Sequence, residues 1–365
     1  MVGCGFGGLA AARTLARYAP ANWEVLAFNR TPVLYNYPLL PRLLIEPVAT
    51  HWIDRPLERL LGTQRIVLHT RRVESIDIQR GCVHAGTETH RYDGLILAPG
   101  GRAIPLDQEE GFGVCYPKAA RHLMRLREEM ERLAANATDR RERYRFVVVG
   151  GGLTGIEFAA SLRLGLDQLC QRHRADRDAF AVSLVEQRDR IAPGCHPKLS
   201  ETLERHLRRL RIEVRTGCRV QRVARDHLQT RSGTLPADRV LCCIGSRPDL
   251  RLDLTGVEHD AGGIPVRTTL QSVTAENLFV IGDAMRSETP RHQETKRASH
   301  AIRQGRAAAK NLLRLMRGEP PAPYQHPILP TLVSLGMHRA VMEYRGRCLA
   351  GALPARIKHY LETRC

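Results

Sequence analysis

The chain has 365 residues and a mass of 41.0 kDa, enough for two domains, each with its own core. Its hydrophobic content of 43% is that of a soluble globular protein. No apolar run approaches the roughly 18 residues of a membrane span, and no basic-then-apolar leader opens the chain, so a cytoplasmic location is expected. The formal charge of +18 would ordinarily point to an anionic partner, yet only 5 of the 56 basic residues are lysine, and the densest basic stretches alternate with acids and apolar residues. That is the pattern of a solvated face. It argues against nucleic acid and leaves an anionic membrane surface as the candidate partner.

In chain order, Gly3, Gly5 and Gly8 form a G-x-G-x-x-G, followed by a helical run to Tyr18 and a strand over Trp23 to Phe28. Only Met1 and Val2 precede Gly3, whereas a supporting strand usually has about five residues. Either the recorded start lies too far downstream or the first strand is a stub, and the loop would then be poorly anchored. Leu34 to Pro41 is apolar, aromatic and broken by Pro38 and Pro41, which predicts a loop that cannot continue a helix but could cover an apolar ring. Strands are predicted at Arg65 to His69, Val73 to Ile78, Cys82 to His84 and Tyr92 to Ala98, the last leading into Pro99-Gly100-Gly101. Ala119 to Asn136 reads as a charge-rich connecting helix.

The central stretch runs from Arg145 to Ala160. Phe146 to Val149 is a β-prone apolar run, Gly150, Gly152 and Gly155 complete a second G-x-G-x-x-G, and Leu153, Ile156, Ala160 and Leu164 recur at helical spacing. Strand, tight turn and helix in that order place a pyrophosphate at a helix N-terminus. Glu186 closes the next strand, Phe180 to Val185, where an acid can accept hydrogen bonds from both hydroxyls of a ribose and repel a 2′-phosphate. Arg188 and Arg190 follow and are the counterweight, since either could clamp that phosphate.

Beyond Glu186, Leu203, Leu207 and Leu210 mark an amphipathic helix. Val240 to Pro248 mirrors Leu95 to Arg102, and Asn277 to Ala284 is an apolar strand ending in Gly282-Asp283, which can aim a carboxylate at a sugar or ribityl hydroxyl. The small residues in the stripe Ala301, Gly305, Ala308, Leu312 and Met316 suit core packing or close approach to a flat ring. The ten cysteines are scattered, with one adjacent pair, Cys242-Cys243, inside an apolar strand. They read as free thiols, and no closely spaced redox pair follows the first glycine loop.

These features resemble the flavin-dependent pyridine nucleotide oxidoreductases, and within them the type II NADH dehydrogenases. The finer resemblance rests on Gly5 to Leu9, Tyr37 to Leu40 through Val48-Ala49-Thr50, Thr154 to Glu157, and Leu332 to Gly336. It implies an α/β fold of two Rossmann-like dinucleotide-binding domains, the NAD domain inserted in the FAD domain. Residues 1–110 and 252–325 would form the FAD domain, 111–251 the NADH domain, and 326–365 a C-terminal segment for membrane or homodimer contact. FAD is implied at Gly3, Gly5, Gly8, Val73, Ala98, Gly100, Asp283 and Ala284. Asn29 and Arg30 stand where the family usually has an acid for the FAD ribose. NADH is implied at Gly150, Gly152, Thr154, Gly155, Glu186 and Gly245, with Glu157 near the nicotinamide. The quinone-facing helix of the family survives only as Gln304 in Ala298 to Gly305, where His300 is a candidate proton donor.

The implied reaction is hydride transfer from NADH and passage of two electrons to a quinone, on the inner face of the cell membrane. The tail Leu353 to Leu361 offers only a short apolar stripe for attachment. The alternatives are a soluble NAD(P)H-dependent flavoprotein reductase using a redox protein or oxygen, a sulfide:quinone oxidoreductase, and a flavoprotein with a signalling or nucleic-acid role.

Overall fold

A computed structural model describes residues 1–46, 50–62, 65–109, 113–118, 120–137, 143–287 and 296–364. The expected domain boundary at 110/111 and the residues Val48-Ala49 lie outside the described residues. The chain divides into two units: Met1–Tyr35, Asp54–Arg102 and Ser246–Pro327 form the first, and Asn36–Ile53, Ala103–Gly245 and Ile328–Cys365 the second.

In the first unit, Val25–Asn29 pairs in parallel with Ile66–Thr70, and Leu95–Leu97 with Leu278–Val280. Val2 forms parallel bridges to both Phe28 and Leu97 and so joins the two pairs. The expectation of a poorly anchored first loop is corrected here. The N–H of Val2 donates to Ile96 O, that of Gly3 to Phe28 O, that of Phe28 to Met1 O and that of Ala98 to Val2 O, at 3.0, 2.8, 2.9 and 2.7 Å. Met1 is hydrogen-bonded to the Val25–Asn29 strand on one flank and Val2 to the Leu95–Leu97 strand on the other. The Met1 amine donates to Leu26 O at 2.6 Å, and burial lowers its pKa to about 6.

The helices Phe6–Tyr18 and Ala298–Met316 bury Leu9, Ala12, Leu15, Ala308 and Leu312 in one core. Gly7 and Gly305 allow the crossing, since a Cβ on Gly305 would lie 2.1 Å from Gly7 O. The small-residue stripe thus serves helix packing. A second sheet in this unit runs Asp253–Thr255, Ser75–Asp77, Cys82–Ala85, Glu88–Arg91, with Glu88–Arg91 at its edge.

The second unit is built on five parallel strands in the order Val114–Cys115, Arg239–Cys242, Tyr144–Val149, Phe180–Val185, Ile212–Arg215. Strands covered on both faces read as continuous apolar runs, which is why Phe146–Val149 and Val182–Val185 carry so little alternation. Leu153–His173 and Pro197–Arg209 supply helical cover through Ile156, Leu162, Leu166, Leu203 and Leu207. The tail adds an antiparallel sheet, Thr331–Ser334, Ala340–Tyr344 and Arg347–Gly351, and a last helix, Ala352–Arg364. The segment expected as a loop is a 3-10 helix over Tyr37–Leu44. Pro38 sits in its first turn, where the missing N–H has no partner to lose, and the short 3-10 repeat accommodates Pro41. The result is a mixed α/β fold with parallel sheets of the Rossmann type, as the sequence leads one to expect.

Candidate functional site

The two glycine loops are built alike. Gly3 and Gly150 have φ of +90° and +107°, a region that favours glycine. Their N–H groups donate to Phe28 O and Val185 O, both at 2.8 Å, so each loop starts from the strand beside it. A Cβ on Gly8 or Gly155 would lie 1.9 Å from the carbonyl oxygen of Gly3 or Gly150, which requires glycine for the helix to sit against the loop. At Gly5 and Gly152 nothing lies within 4 Å of the Cβ position. These two residues cap helices of 13 and 21 residues without any side-chain cap bond. Each loop thus presents first-turn N–H groups and the positive end of a helix dipole to open space, the chemistry that holds a phosphate.

The strand ends beside the loops differ in one residue type. Glu186 is buried, accepts the Gly151 N–H through Oε2 at 2.7 Å and the Arg188 N–H through Oε1 at 2.9 Å. In the first unit Asn29 takes the same place, accepting the Cys4 N–H through Oδ1 at 2.9 Å while Nδ2 donates to Thr31 O at 2.7 Å. A carboxylate has about four lone-pair positions, so Glu186 retains acceptor capacity. Asn29 has one lone pair left on Oδ1 and carries no charge. Arg30 lies 3.7 Å from Asp249, which is also held by Arg251 at 2.6 and 2.8 Å. Arg251 and Arg30 keep the Asp249 carboxyl below its ordinary pKa range despite burial. These side chains, with Gly3, Arg72 and Val73, line a predominantly basic cleft.

Arg190 donates to Cys195 O, Pro193 O and Ser200 Oγ at 3.0, 2.7 and 2.9 Å. It is committed to its own loop, which removes it as a phosphate clamp. The Arg188 side chain is exposed.

Elsewhere in the first unit, Ala98 is buried, and Gly100, at φ +76°, faces open space. Asp283 accepts from Ser246 Oγ at 3.2 Å, and a Cβ on Gly101 would lie 2.4 Å from its Oδ2. Ala284 is fully buried beside it. Gln304 is 3% exposed, and its Oε1 accepts the Gly282 N–H at 2.9 Å, so it braces the Gly282-Asp283 turn. His300 is buried and stacked on His326 with centroids 4.0 Å apart. Burial and His326 lower its pKa to about 4, so it is neutral at pH 7 and holds no proton to donate from an imidazolium.

In the second unit Thr154 is exposed on the first turn of its helix, and Gly245, at φ +108°, opens onto free space. Glu157 is 9% exposed and turns toward the tail: its Oε1 accepts the Ser334 N–H at 2.8 Å and pairs with Lys358. Lys358 also lies 3.3 Å from Glu362, which lies 3.5 Å from Arg42. Burial alone would lower the Lys358 pKa, but Glu157 and Glu362 outweigh it and hold it above its ordinary value. One lysine serving two carboxylates does not fully compensate the second, and burial pushes Glu362 up to about 7. Lys358 and Glu362 are not legible from the apolar stripe of the tail, since they lie off it and meet Glu157 only through packing. The available signal was their i,i+4 spacing on a helix.

Two matched glycine loops, each between a parallel strand and a helix and each with a polar residue at the neighbouring strand end, define a two-site dinucleotide-binding protein. The pyridine nucleotide-disulphide oxidoreductase family matches residues 1–305, and the chain belongs to that family. Curated relatives include the demethylphylloquinone reductase NdbB of Synechocystis sp., 26% identical over 385 residues with 99% of this chain and 90% of that protein covered. The type II NADH:quinone oxidoreductase of Staphylococcus aureus is 24% identical over 386 residues, covering 100% and 94%. Among solved structures, NDH2 from Plasmodium falciparum in complex with NADH shares the fold at a TM-score of 0.81 and 14% identity, covering 100% and 96%. The sulfide:quinone oxidoreductase of Aquifex aeolicus does so at 0.83 and 18%, covering 100% and 89%.

Proposed function

We propose that this chain is an FAD-dependent NADH:quinone oxidoreductase of type II. The observation that carries the reading is the pair of equivalent glycine loops with open Cβ space at Gly5 and Gly152, the second with the carboxylate of Glu186 at the neighbouring strand end where the first has the amide of Asn29. Two dinucleotides of different kinds fit that asymmetry.

FAD fits the first unit. Gly3, Gly5 and Gly8 receive its pyrophosphate, the basic cleft with Arg30 and Val73 takes the adenylate half, and Ala98, Gly100, Asp283 and Ala284 take the remainder. Bound FAD supplies the redox chemistry, accepting a hydride from NADH and giving up two electrons to a quinone. The chain's own residues bind and orient. Gly150, Gly152, Thr154 and Gly155 position the NADH pyrophosphate at the Leu153–His173 helix N-terminus, Gly245 leaves room for the chain to pass, and Glu186 accepts the adenosine ribose hydroxyls. Gln304 fixes the Gly282-Asp283 turn. The Glu157–Lys358 pair keeps a charged ammonium against the tail of the second unit.

Attachment to the inner face of the cell membrane is peripheral. Among the described residues no helix is long and apolar enough to cross a membrane. The last helix instead exposes Leu353, Tyr360 and Leu361 by 60%, 52% and 48%, positions i, i+7 and i+8 on one face. The same segment is the candidate homodimer surface. Steady-state NADH oxidation by purified protein, with a quinone, oxygen, ferricyanide and a soluble redox protein compared as acceptors and sulfide tested as an alternative donor, tests the reading. Quinone is expected to give the highest kcat/KM, and a preference for the redox protein would replace it with the soluble reductase.

A further inference from the structure

The first unit brings three potential metal ligands together, His69, Glu88 and His90. His69 lies near the end of strand Ile66–Thr70, paired in register with Phe28. Glu88 and His90 sit at i and i+2 on Glu88–Arg91, the edge strand of the second sheet, and so project from the same face. Their ligand atoms all lie within 4.8 Å of one another. The Phe28 ring stacks on His69 at 4.8 Å and meets His90 edge-on at 5.0 Å, so both imidazoles pack on one ring.

Two further observations favour an ion over a simple packing cluster. Among the described residues the buried His69 Nε2 has no hydrogen-bond partner, which is uncommon for a buried ring nitrogen. The two oxygens of Glu88 are also divided in use: Oε1 holds Arg71 at 2.8 Å, while Oε2 faces His90 Nε2 at 3.2 Å. A carboxylate ligating through Oε2 would keep Arg71 as its outer partner, the arrangement that orients ligating carboxylates in metal sites.

We propose that His69, His90 and Glu88 form a binding site for a divalent first-row transition ion, Zn²⁺ being the best match to two imidazoles, one carboxylate and a water. The partly exposed His90 and Glu88 leave an entry path. The ion would tie the edge of the parallel sheet to the edge of the small sheet.

The test is Zn²⁺ titration of the purified flavin-loaded protein by calorimetry. Wild type is expected to bind one ion per chain. His69→Ala and His90→Gln should each weaken binding at least about tenfold, while His84→Ala, a neighbouring histidine outside the cluster, should not. Because cysteines also bind zinc, Co²⁺ is substituted, and its spectrum should lack a thiolate charge-transfer band. His90→Gln and Zn²⁺ protection of His69 and His90 from diethylpyrocarbonate in the wild type decide the matter if His69→Ala fails to fold. No binding by wild type, a thiolate spectrum, or wild-type affinity in His90→Gln would overturn the site.

Discussion

Substituting alanine at two glycines of the second loop should separate folding from ligand binding. At Gly155 the new Cβ would lie 1.9 Å from Gly150 O, a backbone atom that cannot move without displacing the strand end. Overpacking of this kind costs about 1–3 kcal/mol, and the clash with backbone puts it at the upper end. The gain from replacing glycine in a helix is about 1 kcal/mol, leaving a net loss of about 2 kcal/mol. At Gly152 the Cβ meets nothing within 4 Å, and φ of −68° is ordinary for alanine. Stability should stay within about 0.5 kcal/mol. The methyl group does, however, fill the space a pyrophosphate needs, and loss of one charge-assisted hydrogen bond, about 1.5–3 kcal/mol, lowers kcat/KM for NADH at least about tenfold. Chemical denaturation and NADH-dependent steady-state kinetics are measured on both variants. A Gly152→Ala protein with wild-type kcat/KM would refute the assignment of this loop to the nucleotide, and a Gly155→Ala protein of wild-type stability would refute the packing argument.

Glu186→Ala should erode an NADH preference of at least about tenfold, roughly 1.4 kcal/mol, mainly by improving NADPH; equal use of both nucleotides by wild type would contradict the role of Glu186. Arg190→Ala should lower stability without altering that preference, because its guanidinium serves Cys195 O, Pro193 O and Ser200. Glu362 has a folded pKa raised from 4.5 to about 7, so its stabilising contribution is present below 4.5 and lost as pH rises through about 7. The loss is worth roughly 3 kcal/mol. Denaturation of Glu362→Gln at pH 5 and pH 8 should show a smaller difference than wild type, and an equal slope would disprove the burial argument. Sedimentation with anionic vesicles should capture the protein at low salt and release it in molar salt; retention at high salt would mean that the exposed Leu353, Tyr360 and Leu361 suffice alone.

Much of the fold was legible because its signals are local. The strand Phe180–Val185 and the two glycine loops stand where the apolar runs and glycine spacing put them, since a loop between a buried strand and a helix admits few alternatives. The first strand was misjudged because a residue count says nothing about neighbours: Val2 is held from both sides by Phe28 and Leu97. Pro38 and Pro41 were read as helix breakers by rules for α-helices, and the segment adopts the tighter 3-10 form. The side-chain partners of the candidate site were the least legible. Asn29 reads as a ribose contact, and the bond its Oδ1 accepts from the Cys4 N–H was not visible in the sequence. The Glu157–Lys358 pair spans 201 residues, and such a contact depends on how the tail packs rather than on any periodicity.

The most direct measurement is anaerobic stopped-flow absorbance of the flavin in the purified protein, mixed first with NADH and then with a soluble quinone. The account predicts one FAD per chain, rapid bleaching by NADH, slower bleaching by NADPH, and full reoxidation by quinone at a rate that sustains turnover. A colourless protein that takes up no FAD, or a flavin that NADH bleaches but quinone leaves reduced, would contradict it.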